Sequence, residues 1–134
     1  MRVLFAYDGS SFAKRALRYA GHLGPDLEAT VITVSPVLIE GPRGEQSTDP
    51  DRDAGEGRRH LEDARRLLDE FGVQVDVVHT FGNPAAEILG AAEERGADLI
   101  VLGQRGRSAI ARFIDGSVTE RVVRHAACDV LVAR

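Results

Sequence analysis

The sequence predicts an α/β protein: a three-layer α/β/α sandwich around a five-stranded parallel sheet with strand order 3-2-1-4-5. Three observations carry this expectation. Short apolar runs and stretches of helical periodicity take turns along the chain, the pattern of a parallel sheet covered by helices. Most of the runs are continuous rather than alternating, as strands buried on both faces require. Helical crossovers are right-handed, which carries the chain outward from the first strand to the third and then back to the fourth and fifth.

Val3 to Tyr7 is the first such run. Phe12, Ala13, Ala16, Leu17, Ala20 and Leu23 then recur at helical spacing, with Ser10 or Ser11 as cap and Gly24 past the end. Leu27 to Val34, rich in β-branched residues, reads as the second strand, and Leu61, Ala64, Leu67, Leu68 and Phe71 form a helical stripe closed by Gly72. In the third strand Val73, Val75 and Val77 alternate with Gln74 and Asp76, which places it half exposed at a sheet edge. Asn83 followed by Pro84 is a cap and first-turn pair; Ile88, Leu89 and Ala92 make the buried stripe and Gly96 ends it. Ala97 to Gly103 holds the longest aliphatic run and is the fourth, most buried strand. Ser117 to Ala126 is expected as the last helix and Val130 to Ala133 as the last strand.

The chain of 134 residues suits one domain, expected to span 1–134. With 43% hydrophobic and 28% charged residues it lies in the globular range, so wholesale disorder is excluded. The stretch from Ser35 to about Gly57 is the exception. Its prolines, glycines and acidic residues (Glu40, Glu45, Asp49, Asp51, Asp53, Glu56), opposed only by Arg43 and Arg52, predict a flexible acidic loop at about 36–57. A net charge of −4, with the basic residues dispersed, argues against bulk nucleic-acid binding. The longest aliphatic run, Leu99 to Leu102, is far too short to span a membrane, and a soluble cytoplasmic protein is expected. The lone Cys128 can form no intramolecular disulfide.

Reversal of the strand order between strands one and four marks the carboxyl-end crevice where open α/β sheets bind ligands. The loops there are Asp8 to Ser11 and Gly103 to Ser117. The second reads Gly103-x2-Gly106-x9-Gly116-Ser117. Glycine after a buried strand lets the backbone turn and approach a ligand; glycines farther on leave room for phosphate oxygens; a helix N-terminus with a hydroxyl favours anions. Neither a Walker-type lysine motif nor a G-x-G-x-x-G fingerprint is present. The plainer alternative for Ser117-Val118-Thr119-Glu120 is a capping box. Arg105 and Arg107 lie within the loop and could neutralise phosphate, although an exposed arginine is often only solvated. His125 and Cys128 are too few for a metal site, and His22, His60 and His79 read as surface or strand-edge residues.

The three-glycine spacing, continued by Val118-Thr119-Glu120-Arg121-Val122, His125-Ala126 and Val130-Leu131-Val132, resembles the nucleotide motif of the ATP-binding universal stress proteins. The resemblance covers the whole chain, with Asp8-Gly9-Ser10 after the first strand. It implies ATP, ADP or AMP with phosphates on the Gly103 to Ser117 loop, contacted by Gly103, Arg105, Gly106, Arg107, Gly116, Ser117 and Val118. It further implies ribose at Asp8, with Gly9 and Ser10 also binding the nucleotide, adenine against the backbone of Val34, and Mg2+ or Mn2+ on the phosphates with no protein metal ligands. A homodimer through Val130, Leu131 and Val132 and an unknown regulatory partner are also implied. Thr33 and Ala127-Cys128-Asp129 depart from the family pattern outside the nucleotide motif.

Function is therefore expected to be an ATP-binding stress-response sensor or signalling module without catalytic residues. The alternative is a slow ATPase or phosphotransferase in the same pocket, which would need a base near the γ-phosphate. A phosphorelay receiver is disfavoured, since Asp8-Gly9 lacks its acidic pair and His79-Thr80 its phosphorylatable acid.

Overall fold

The computed structural model describes residues 1–35, 50–104 and 116–134. In chain order the elements are β1 (Arg2–Ala6), α1 (Ser11–Leu23), β2 (Glu28–Ser35), α2 (Pro50–Asp69), β3 (Val75–Phe81), α3 (Pro84–Arg95), β4 (Leu99–Gly103), α4 (Gly116–His125) and β5 (Asp129–Ala133). The strands form one parallel sheet in the order β3-β2-β1-β4-β5, as the sequence predicts.

Alternation of side chains across the pleat divides the core in two. Val3, Phe5, Tyr7, Ala29, Val31 and Val101 pack against Ala16, Leu17 and Ala20 of α1 and Leu61, Ala64 and Leu68 of α2. Leu4, Ala6, Ile32, Val34, Ile100 and Leu102 pack against Ala85, Ile88 and Ala92 of α3 and Val118 and Val122 of α4. Each of the larger side chains contributes about 1.5–3 kcal/mol through burial.

The helix ends follow their local chemistry. Ser10 caps α1, its hydroxyl accepting the Ala13 N–H, and the Asn83 side chain accepts the Ala86 N–H ahead of Pro84. Gly96 is left-handed and returns its N–H to the Ala92 and Glu93 carbonyls.

Most boundaries shift from expectation by one or two residues, and three differences bear on the site. α2 begins at Pro50, so residues 50–57 are helical although the sequence predicts loop there. Proline is well suited to the first turn of a helix, and α2 gains its start from docking on the sheet rather than from propensity. β3 runs to Phe81 rather than ending near Val77, because its register with β2 continues to the Ser35–Phe81 pair. α4 begins at Gly116, which places Ser117 inside the first turn and not at the cap of a capping box.

Candidate functional site

The end of β4 meets the first turns of α1 and α4, with the ends of β1 and β2 alongside in the sheet; of the expected ligand-contacting residues, Asp8, Gly9, Ser10, Val34, Gly103, Gly116, Ser117 and Val118 belong to these ends. Asp8, two residues beyond β1, is 1% exposed, and its Oδ1 accepts the Ser10 N–H at 3.0 Å. With Ser10 serving as the helix cap, Asp8 is left to shape the turn and to present a buried carboxylate at the crevice. Gly9 sits at φ +79°, a left-handed conformation that side-chain-bearing residues adopt at a cost. Val34 is buried near the end of β2 and faces the α3/α4 core.

Gly103 closes β4, and its lack of a side chain has a structural cause. A Cβ there would lie 2.7 Å from the carbonyl carbon and Cβ of Phe12 and 2.9 Å from the Ala13 nitrogen. The close approach it permits is that of the first turn of α1, whereas the sequence suggests approach by a ligand. From α4, Thr119 donates its hydroxyl to both the Gly103 and Gln104 carbonyls, at 3.1 and 3.0 Å. The first turn of α4 is thereby pinned to the end of β4, with Gly116 and the exposed Ser117 beside it. Val118 faces inward in the α3/α4 core. Arg105, Gly106 and Arg107 lie outside the described residues, as do Ile110, Arg112, Phe113 and Ile114.

A second group on the α1/α2 side escaped the sequence reading. Thr33 donates its hydroxyl to the Tyr7 carbonyl at 2.8 Å, tying β2 to the chain just past β1. The Tyr7 hydroxyl donates to Asp63 Oδ2 at 2.7 Å; burial and that carboxylate hold the phenol well above its ordinary pKa. His60, expected at the surface, meets Tyr7 edge-on and lies against Gly9. His79 sits on the edge strand as expected, yet its Nε2 is 2.7 Å from Ser35 Oγ and its ring stacks on Phe81. Burial pushes both imidazoles below their ordinary range; three nearby carboxylates oppose this at His60, and Arg58 adds to it at His79. One sequence signal was available for His60: it falls between Gly57 and Ala64 on the inward stripe of α2.

A buried carboxylate and the N-terminus of α4 are the polar groups at this end of the sheet, and a helix N-terminus favours anions. Among the described residues no three His, Cys, Asp or Glu side chains are grouped to hold a metal. No described helix is long and apolar enough to cross a membrane. β5 lies at the sheet edge beside β4, with Val130, Leu131 and Val132 partly buried and Asp129 exposed at its start.

Comparison with known proteins follows the same geometry. The family model described as Universal stress protein family matches residues 1–134. The universal stress protein YxiE of Bacillus subtilis is 35% identical, covering 99% of this chain and 98% of its own. The solved structure of universal stress protein UspA from Lactobacillus plantarum has a TM-score of 0.80 at 25% identity, covering 100% of this chain and 97% of that one. A universal stress protein solved in complex with cAMP has a TM-score of 0.74 at 25% identity, with the same coverage. With its order of strands and its full-length match, the chain belongs to the universal stress protein family.

Proposed function

We propose that the protein is an adenine-nucleotide-binding module of the stress response, holding ATP at the carboxyl ends of β1, β2 and β4 and acting as a homodimeric regulator. The observation that carries this reading is the first turn of α4, with Gly116 and Ser117, fastened by the Thr119 hydroxyl to the Gly103 end of β4, while the strand paired with β4, β1, leads into the buried Asp8 carboxylate. The structural neighbour with bound cAMP supports an adenine nucleotide as the ligand class. In this reading Asp8 binds the ribose, the Val34 backbone meets the base, and Ser117 with the α4 N–H groups holds phosphate. Phosphates held there would have their charge offset by a divalent Mg2+ or Mn2+ ion when one is bound. Pairing of β5 with its counterpart in a second copy would cover that edge of the sheet.

The test is direct. Heating the purified protein and chromatographing the supernatant should release an adenine nucleotide, and calorimetry on stripped protein should show ATP binding. Gly116→Leu should lower affinity by about 100-fold or more by filling the phosphate space, a loss near 3 kcal/mol. No nucleotide in the supernatant together with no calorimetric binding would overturn the reading.

A further inference from the structure

Helix α2 meets the carboxyl end of the sheet through imidazoles and glycines rather than through aliphatic side chains. Gly57 approaches β3 so closely that a Cβ there would lie 2.5 Å from His79 Nε2 and 2.9 Å from Ser35 Oγ. Gly9 in turn would carry its Cβ 2.5 Å from His60 Nε2. Each ring is thus pressed against backbone belonging to the opposite side of the contact: His60 of α2 against the turn after β1, and His79 of β3 against α2. His60 Nδ1 is buried without a hydrogen-bond partner. The contact continues along the helix: the apolar anchor Leu61 follows His60 directly, Asp63 accepts the Tyr7 hydroxyl one turn beyond His60, and Ala64 and Leu68 carry on the apolar packing.

A neutral imidazole tolerates this packing, whereas a protonated one carries N–H donors on both nitrogens and a charge that needs water or an acceptor. We propose that the N-terminal half of α2 is a proton-sensitive cover over the carboxyl end of the sheet, docked while His60 and His79 are neutral and released when they take up protons.

The groups around each ring set the sign. His60 faces Tyr7 and Asp8 from β1 and the turn beyond it, and Glu56, Arg59 and Asp63 from its own helix; Arg58 of α2 faces His79. Burial outweighs the carboxylates at His60 and is reinforced by Arg58 at His79, so the docked form binds fewer protons than the released form. Docking is therefore complete above the ordinary imidazole range and weakens as pH falls through it. Because His60 lies on Gly9, release also frees the Asp8-Gly9 turn and lowers affinity for the nucleotide; this last clause rests on the function proposed above, and the docking itself does not.

The experiment uses the nucleotide-free full chain. Amide hydrogen exchange, corrected for its intrinsic pH dependence, is followed from about pH 7.5 to about pH 5 together with the imidazole NMR titrations. Expected is a loss of protection at residues 57–61, about tenfold per pH unit for each ring that must be neutral, while 84–95 in α3 stays unchanged. The double variant H60F/H79F, which keeps two rings without the titration, should flatten the dependence. Unchanged protection at 57–61 in the wild type while both rings titrate would overturn the cover whether or not the variant folds. Calorimetry with ATP at both ends of the range separates the two readings. Binding absent at every pH sinks the nucleotide site and leaves the cover to stand on exchange alone. Binding that ignores pH while exchange responds refutes its link to the site.

Discussion

The two faces of the sheet end differently at its carboxyl edge. Under α3 and α4 the packing of β1, β2 and β4 stays apolar close to their carboxyl ends, with Val34 at 1% and Leu102 at 0% exposure. Under α1 and α2 the aliphatic layer stops at Phe5 and Val31, and Tyr7, Thr33, Ser35 and His79 take over, met from the helix by His60 and Asp63. One face is held by burial, which is indifferent to protons; the other by hydrogen bonds and neutral imidazoles, which are not. In this chain the first turn of α4 is attached to the first kind of surface and the N-terminal half of α2 to the second.

The contrast can be broken most forcefully on the apolar side. Leu102→Ala should cost about 2–5 kcal/mol in denaturant unfolding, because removal of a fully buried side chain leaves a cavity as well as lost transfer energy. That loss should be the same at pH 8 and at pH 6, at about constant m-value. Tyr7→Phe probes the polar side: without the hydroxyl, Asp63 loses its 2.7 Å donor, and about 1–2 kcal/mol should disappear, accompanied by faster exchange in α2 but not α3. The smallest effect belongs to the exposed Arg124–Glu120 pair on α4, 3.1 Å apart with both side chains largely in water. Arg124→Ala should move the midpoint by less than about 0.5 kcal/mol; a larger loss would show that the α3/α4 layer relies on its surface charges and not on its core.

Where the pattern is local, the sequence discloses the structure. The continuous apolar runs of β1 and β4, the alternation in β3 and the Asn83-Pro84 and Gly96 ends of α3 are each readable within a few residues, because burial and capping act on immediate neighbours. The first half of α2 is opaque for the opposite reason. Gly55 and Gly57 weaken the helix, and its acidic flank suggests a solvated loop; the contact of Gly57 with Ser35 and His79 supplies what propensity lacks. Gly103 is legible as a residue that must lack a side chain, yet its nearest neighbour is α1, far away in sequence. Thr119 was visible only as part of the family motif, and its two carbonyl partners emerge once α4 is set against the end of β4.

By itself the sequence determined the strand order and the two apolar faces, since periodicity and crossover handedness leave few alternatives, and it pointed to the reversal between β1 and β4 as the place expected for a ligand. The tertiary structure alone decided what surrounds that place. His60 came to rest on Gly9, His79 on Gly57 and the first turn of α1 on Gly103 because backbone packs closely wherever a side chain is missing, and the partner in such a contact is chosen by the fold rather than by neighbouring residues in the chain.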